Sequence, residues 1–94
     1  MTPFLAKKII IAPDVLVNHV DRESVFLDMK TEKYFGLDEV GTQMWQALTA
    51  SGSVQEAYEK LLLVYEVDPQ QLQSDLESFI GSLREHGLLN VIDP

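Results

Sequence analysis

The sequence predicts an α+β domain in which a three-stranded antiparallel sheet precedes three α-helices. Three observations carry this expectation. Short runs with strand-like alternation fill the N-terminal part of the chain, whereas apolar residues recur at helical spacing in the rest. The two regimes meet at one junction, Tyr34-Phe35-Gly36-Leu37-Asp38-Glu39-Val40-Gly41. The chain has 94 residues, 46% of them apolar, which suits one small domain with its own core. That domain is expected to span residues 1–94, with an ordered core over about 15–90.

Pro3, Pro13 and Asp14 punctuate the start of the chain, and Ile9-Ile10-Ile11 suits a short extended piece. Residues 15–20 alternate imperfectly and read as the first strand of the meander. Asp21-Arg22-Glu23 reads as a turn and residues 25–28 as the second strand. A polar connection, 29–32, leads to the third strand, 33–37. No Asn-Gly or Asp-Gly pins either turn, so the sequence leaves the hairpin register open. Leu37 leads into an apolar helix stripe. The pleat therefore puts Phe35 on the side of Leu37 and Tyr34 on the other.

Helix one is expected from about residue 38 to 50, with Asp38 as N-cap and Glu39 in the first turn. Its stripe is Leu37, Val40, Gly41, Met44, Trp45 and Leu48, the spacing of one buried face. Trp45 belongs to that stripe and is read as core. Gly41 costs about 1 kcal/mol relative to Ala in a helix interior, and on this face it most simply lets the helix approach the sheet closely. Ser51-Gly52 ends the helix. Ser53-Val54-Gln55-Glu56 is a capping box for helix two, whose stripe is Val54, Ala57, Tyr58, Leu61, Leu62 and Tyr65.

Helix three starts at Asp68-Pro69, a cap followed by proline at the first helical position. Gln71 nearly repeats the capping box, and Val67 and Leu72 are placed as a hydrophobic staple. The stripe continues through Leu76, Phe79, Ile80 and Leu83. Gly87 suits a left-handed cap on which Leu88 folds back to Leu83. Residues 88–92 form a short apolar tail that suits a strand. Helix two, the Glu66-Val67 turn and helix three make a helix-turn-helix with a sheet beside it. That is the winged-helix arrangement with the sheet placed N-terminally.

Composition narrows function by exclusion. Net charge is −8, with seven acids against five bases in the first 52 residues and eight against two in the remaining 42. Such a surface repels polyphosphate, because nucleic-acid binding needs Lys and Arg to displace counterions. In a winged-helix DNA-binding regulator, Gln70, Gln71 and Gln73 would face bases, but Arg84 is the sole base of helix three. The absence of cysteine excludes disulfides and thiolate chemistry. The longest apolar runs, residues 9–12 and 61–65, are far below the ~20 residues of a membrane span. Lys7-Lys8 before Ile9 opens too short a run for a signal sequence, so the cytoplasm is the expected location and no membrane partner is expected. His19 and His86 lack a closely spaced third ligand, so no metal is expected. No serine follows the nucleophile-elbow pattern, and glycine spacing matches neither a P-loop nor a dinucleotide fingerprint. The chain is therefore read as no enzyme by itself, with no cofactor and no catalytic residue.

What remains is an edge. In a meander of order 1-2-3 the third strand has unpaired backbone groups, and proteins use such an edge to capture an extended peptide. The candidate strand is Glu32, Lys33, Tyr34, Phe35 and Gly36. Helix three offers the other wall of a groove, with Asp75, Ser78, Ser82 and Arg84 flanking Leu72, Leu76 and Phe79. The alternative is an edge that is simply solvated beside a helix that only builds core.

At this point the chain resembles the PqqD-like family, the peptide-recognition domains of pathways that modify ribosomally made peptides. The resemblance lies in Tyr34-Phe35-Gly36-Leu37-Asp38-Glu39-Val40-Gly41, then Trp45 and Leu48. It continues through Gly52-Ser53-Val54, Glu56-Ala57, Leu61, Tyr65-Glu66-Val67-Asp68, Asp75, Phe79, Leu83 and Gly87-Leu88-Leu89. Asp38 stands where the family often has Asn, and both residues cap helices. The resemblance implies a winged helix that binds the leader segment of a precursor peptide as a fourth antiparallel strand, between strand three and helix three. Carried onto this chain, the peptide site is Glu32, Lys33, Tyr34, Phe35 and Gly36 with Leu72, Asp75, Leu76, Ser78, Phe79 and Ser82. It also implies a stand-alone protein that presents the peptide to a separate modifying enzyme: a leader peptidase, a cyclase or a radical SAM enzyme. Lasso-peptide and PQQ-type pathways both fit, and a scaffold subunit that binds only a partner enzyme is the remaining alternative.

Overall fold

The structure is a computed structural model and describes residues 6–93. Pro3, and the domain expectation at residues 1–5 and 94, lie outside the described residues. The elements run β1 (Lys8–Ile11), β2 (Val15–Val20), β3 (Glu23–Asp28), β4 (Lys33–Leu37), α1 (Glu39–Ala50), α2 (Val54–Val64), α3 (Pro69–Glu85) and β5 (Leu89–Ile92). The expected meander is present as an antiparallel sheet of order β2-β3-β4. The three expected helices follow it.

The two hairpin loops settle the register that the sequence left open. Val20 pairs with Glu23, so only Asp21 and Arg22 form the first loop, and Glu23 belongs to β3 and not to the turn. Asp21 adopts a φ of 58°, a left-handed conformation that Asp tolerates better than most residues. The second loop closes on the pair Asp28 and Lys33. Its last residue, Glu32, has a φ of 60° and donates its amide to the Asp28 carbonyl at 2.7 Å. The strand thus begins at Lys33, as expected, and Glu32, counted with the candidate edge, has its backbone committed to the loop.

The extended piece and the apolar tail are partners. β1 and β5 form a separate two-stranded antiparallel sheet with Ile9 opposite Val91 and Ile11 opposite Leu89. Ile9 and Leu89 are buried in the common core. A chain-end pairing of this kind carries no local signal.

The caps explain where the helices start and stop. Asp38 accepts the Gly41 amide at 2.8 Å, and Ser53 accepts the Glu56 amide at 3.2 Å. Glu56 reaches back one residue further than a capping box requires, to the Gly52 amide at 2.9 Å. Gln71 does not complete a box on α3. It turns along the helix and donates to the Asp75 carboxylate at 2.8 Å. The far end of α3 matches expectation: Gly87 has a φ of 72°, its amide bonds to Arg84 and the Leu88 amide to Leu83, with both leucines buried.

Between sheet and helices lie Phe26, Trp45, Leu48, Val54, Ala57, Leu61, Leu76, Ile80 and Leu83. Trp45 meets Phe26 edge-on, with ring centroids 4.8 Å apart. The inner face of α1 is rotated from the expected stripe. Val40 is 48% exposed, whereas Thr42 is buried. The Thr42 hydroxyl sits 2.7 Å from the Ser24 hydroxyl and ties α1 to β3 inside the core. Thr42→Val keeps the shape but leaves the Ser24 oxygen without that partner, so it should cost about 1–2 kcal/mol in urea unfolding. Adding Ser24→Ala should return most of that loss, since both polar groups are then gone. A Cβ on Gly41 would lie 3.3 Å from Leu37 Cβ, so the glycine serves the close packing of α1 against the end of β4.

Candidate functional site

Which backbone groups of β4 face outward follows from the ladder. The Met29 amide donates to the Asp14 carbonyl at 2.9 Å, which makes residues 14 and 29 a hydrogen-bonded pair. Antiparallel ladders alternate, so on β3 residues 23, 25 and 27 bond to β2, and 24, 26 and 28 bond to β4. On β4, Lys33, Phe35 and Leu37 are therefore occupied with β3. Tyr34 and Gly36 turn their amides and carbonyls to the outer edge, which is free of any strand among the described residues. These are the polar groups that an added strand would pair.

Beside this edge lies an open groove of about 660 Å³. β4 contributes Phe35 and Gly36, and α3 contributes Asp75, Ser78, Phe79 and Ser82. These four helix residues follow the i, i+3, i+4, i+7 spacing of one face. The junction and α1 supply Leu37, Asp38, Val40, Gly41 and Met44, and Leu83 lies at the base of the helix wall. A second hollow of about 320 Å³ lies beside Lys33, Tyr34, Glu85 and His86, and Phe35 lines both. The Phe35 and His86 rings are 4.8 Å apart and tilted, so they tie β4 to the end of α3 between the two hollows. His86 Nδ1 donates to the Ser82 carbonyl at 2.7 Å, since a carbonyl can only accept.

The structure thus brings six of the sequence-predicted residues around the groove: Phe35, Gly36, Asp75, Ser78, Phe79 and Ser82. Lys33 and Tyr34 flank the second hollow. Tyr34 is 73% exposed, on the sheet face opposite Phe35 as the pleat requires. Leu72 and Leu76 are placed elsewhere. Both are buried in the core behind the helix wall and do not line the groove. Glu32 sits in the loop, off the edge. The sequence reading missed Val40, Met44 and Leu83 as groove residues because helical spacing alone assigned them to the core.

The groove is apolar with acidic company. Its ionisable side chains are Asp38, held as the α1 cap, and Asp75, held by Gln71. His86 bonds the Ser82 carbonyl and not its hydroxyl, so the two do not form a nucleophile and base. Among the described residues, no group of three or more His, Cys, Asp and Glu side chains is placed to hold a metal ion. No described helix is long and apolar enough to cross a membrane. Away from the groove, burial and then the carboxylates of Glu39 and Asp38 push the Tyr65 hydroxyl above its ordinary pKa.

Comparison with known proteins adds three findings. The family model described as Coenzyme PQQ synthesis protein D (PqqD) matches residues 23–89, from β3 to the start of β5. The solved structure of TbiB1 in complex with the TbiA(beta) leader peptide shares 34% identity and a TM-score of 0.80, covering 85% of this chain and 93% of that one. A lasso peptide synthetase B1 complexed with the leader peptide shares 24% identity and a TM-score of 0.81, covering 88% of this chain and 98% of that one. At that identity the second speaks to the fold alone. No curated protein matches the chain.

Proposed function

The chain belongs to the PqqD family, and on that premise we propose that it is a non-catalytic protein that binds the leader segment of a ribosomally made precursor peptide. The peptide adds to β4 as a fourth antiparallel strand, with alternate side chains entering the groove beside α3. One observation carries the reading: among the described residues, the backbone groups of Tyr34 and Gly36 have no strand partner, at an edge that opens on an apolar groove. Main-chain pairing supplies affinity in this mode and the groove supplies selectivity. The likeness to TbiB1, solved with the TbiA(beta) leader peptide, supports a leader peptide as the ligand. The bound peptide would then be presented to a separate modifying enzyme: a leader peptidase, a cyclase or a radical SAM enzyme. The acids of the groove and the net charge of −8 favour neutral or basic leader segments over acidic ones.

Calorimetric titration with the leader of a precursor peptide encoded beside this gene is expected to show micromolar or tighter binding. Phe79 is a half-buried ring of the helix wall. Phe79→Ala should weaken binding about tenfold, the loss of roughly 1.4 kcal/mol of apolar contact. A folded protein that binds none of the neighbouring leaders would defeat the reading.

A further inference from the structure

The apolar run at the end of α2 is only half used by the core. The outward positions of the preceding turns are Glu56, Glu59 and Lys60, all exposed, as a solvated helix face requires. At the next turn the pattern breaks. Leu63 is 88% exposed, the most exposed large apolar side chain among the described residues, and Val64 is 69% exposed. Val67 follows in the connection to α3 and is also exposed. The packing of α2 asks for none of the three, since Val54, Ala57 and Leu61 hold the helix to the core. Single exposed apolar residues need no explanation, but Leu63, Val64 and Val67 are close enough along the chain to make a patch. Beside it a hollow of about 280 Å³ opens between α1 and α2, walled by Ala47, Leu61, Val64 and Tyr65. This hollow shares no lining residue with the two hollows along β4, so the two sites can be filled at once.

Resting on the reading above that the protein presents a peptide to a separate enzyme, we propose that this patch at the end of α2 docks a modifying enzyme, which fills the hollow with an apolar side chain set in a basic rim. Charge decides the occupant. From residue 56 to 68 the carboxylates of Glu56, Glu59, Glu66 and Asp68 stand against one ammonium, Lys60, and Glu59, Glu66 and Asp68 are exposed around the patch. A second copy of this chain, meeting the patch with its own, would set these carboxylates against their like on a molecule of net charge −8. An anionic lipid surface is repelled for the same reason. A protein surface whose apolar anchor lies among Lys and Arg meets the patch with complementary charge, which speeds encounter and fixes orientation. The anchor is then buried at the centre of the contact, where truncation weakens interfaces most. Docking here leaves the edge of β4 open, so the enzyme can bind the protein with its peptide already in place.

The test is titration of each purified modifying enzyme encoded beside this gene with the full chain and with two double variants. Leu63→Gln with Val64→Gln removes the apolar centre, and Glu59→Lys with Glu66→Lys inverts the rim. All four side chains are exposed, and Gln and Lys suit helical positions, so both variants should unfold close to the wild-type midpoint. One enzyme is expected to bind the wild type, and more weakly at high salt than at low. Each double variant should bind that enzyme at least about tenfold more weakly, with its affinity for the leader unchanged. If both variants bind every enzyme as the wild type does, or if no enzyme binds the wild type, the docking face is wrong while leader binding stands. Loss with the Gln variant alone overturns the basic rim. If the wild type dimerises in sedimentation and the Gln variant is monomeric, the patch takes a second copy and the proposal falls. A folded wild type that binds no leader defeats the presenting role itself, whichever enzyme it touches.

Discussion

Tyr34→Pro is expected to abolish tight leader binding while leaving the protein folded. The two halves of that result follow from one ladder. The Tyr34 amide faces the free edge, so a proline there removes no bond to β3. Proline is tolerated on edge strands for this reason, and Lys33 before it is already extended. Its side chain is exposed, so little packing is lost. Stability should therefore fall by no more than about 1 kcal/mol. A bound strand, by contrast, loses the donor for one of its carbonyls and meets a ring where that carbonyl would sit. A missing bond with an unsatisfied partner costs about 2 kcal/mol, which is roughly a thirtyfold loss of affinity. Phe35→Pro is the control. Its amide bonds to β3, so that variant should lose several kcal/mol of stability. Calorimetry beside urea unfolding reads both. Normal binding by a folded Tyr34→Pro protein would show that the leader does not pair with β4.

Much of this site was legible because its signals are local. The end of β4, the Asp38 cap and the spacing of α1 follow one another without interruption, and each fixes the next. The Schellman end of α3 was readable from Gly87 and Leu88 for the same reason. What stayed hidden depended on how faces turn toward one another. Helical spacing identifies a stripe but not its orientation to within one residue. So the spacing assigns Val40 to the core, although the inner face of α1 runs through Thr42. Thr42 looked polar and gave no sign that Ser24 would satisfy it inside the core. On α3 the stripe merged two adjacent faces. Leu72 and Leu76 hold the helix to the core, and Asp75, Ser78, Phe79 and Ser82 turn to the groove. The β1 and β5 pairing joins segments near opposite ends of the chain, which no short window can show.

Phe26→Ala should produce the largest loss of stability in the molecule, about 3–5 kcal/mol. Phe26 has no exposed surface. It pairs with Phe35 across the sheet and meets Trp45 edge-on. Truncation leaves a cavity that the strands on either side cannot close, and it removes an aromatic contact worth about 0.5–1.5 kcal/mol beyond its area. A small domain holds only about 5–15 kcal/mol in total, so a sizeable unfolded fraction is expected near physiological temperature. The edge of β4 is untouched by this change. Leader binding should persist in the folded fraction, and saturating leader should restore part of the loss. At a free concentration one hundred times the dissociation constant, the linkage term is about 2.7 kcal/mol. Thermal melts of Phe26→Ala with and without leader measure it. Tyr34→Pro placed on the same background should erase the rescue while adding little to the destabilisation. A rescue that survives Tyr34→Pro would place the leader somewhere other than the edge of β4.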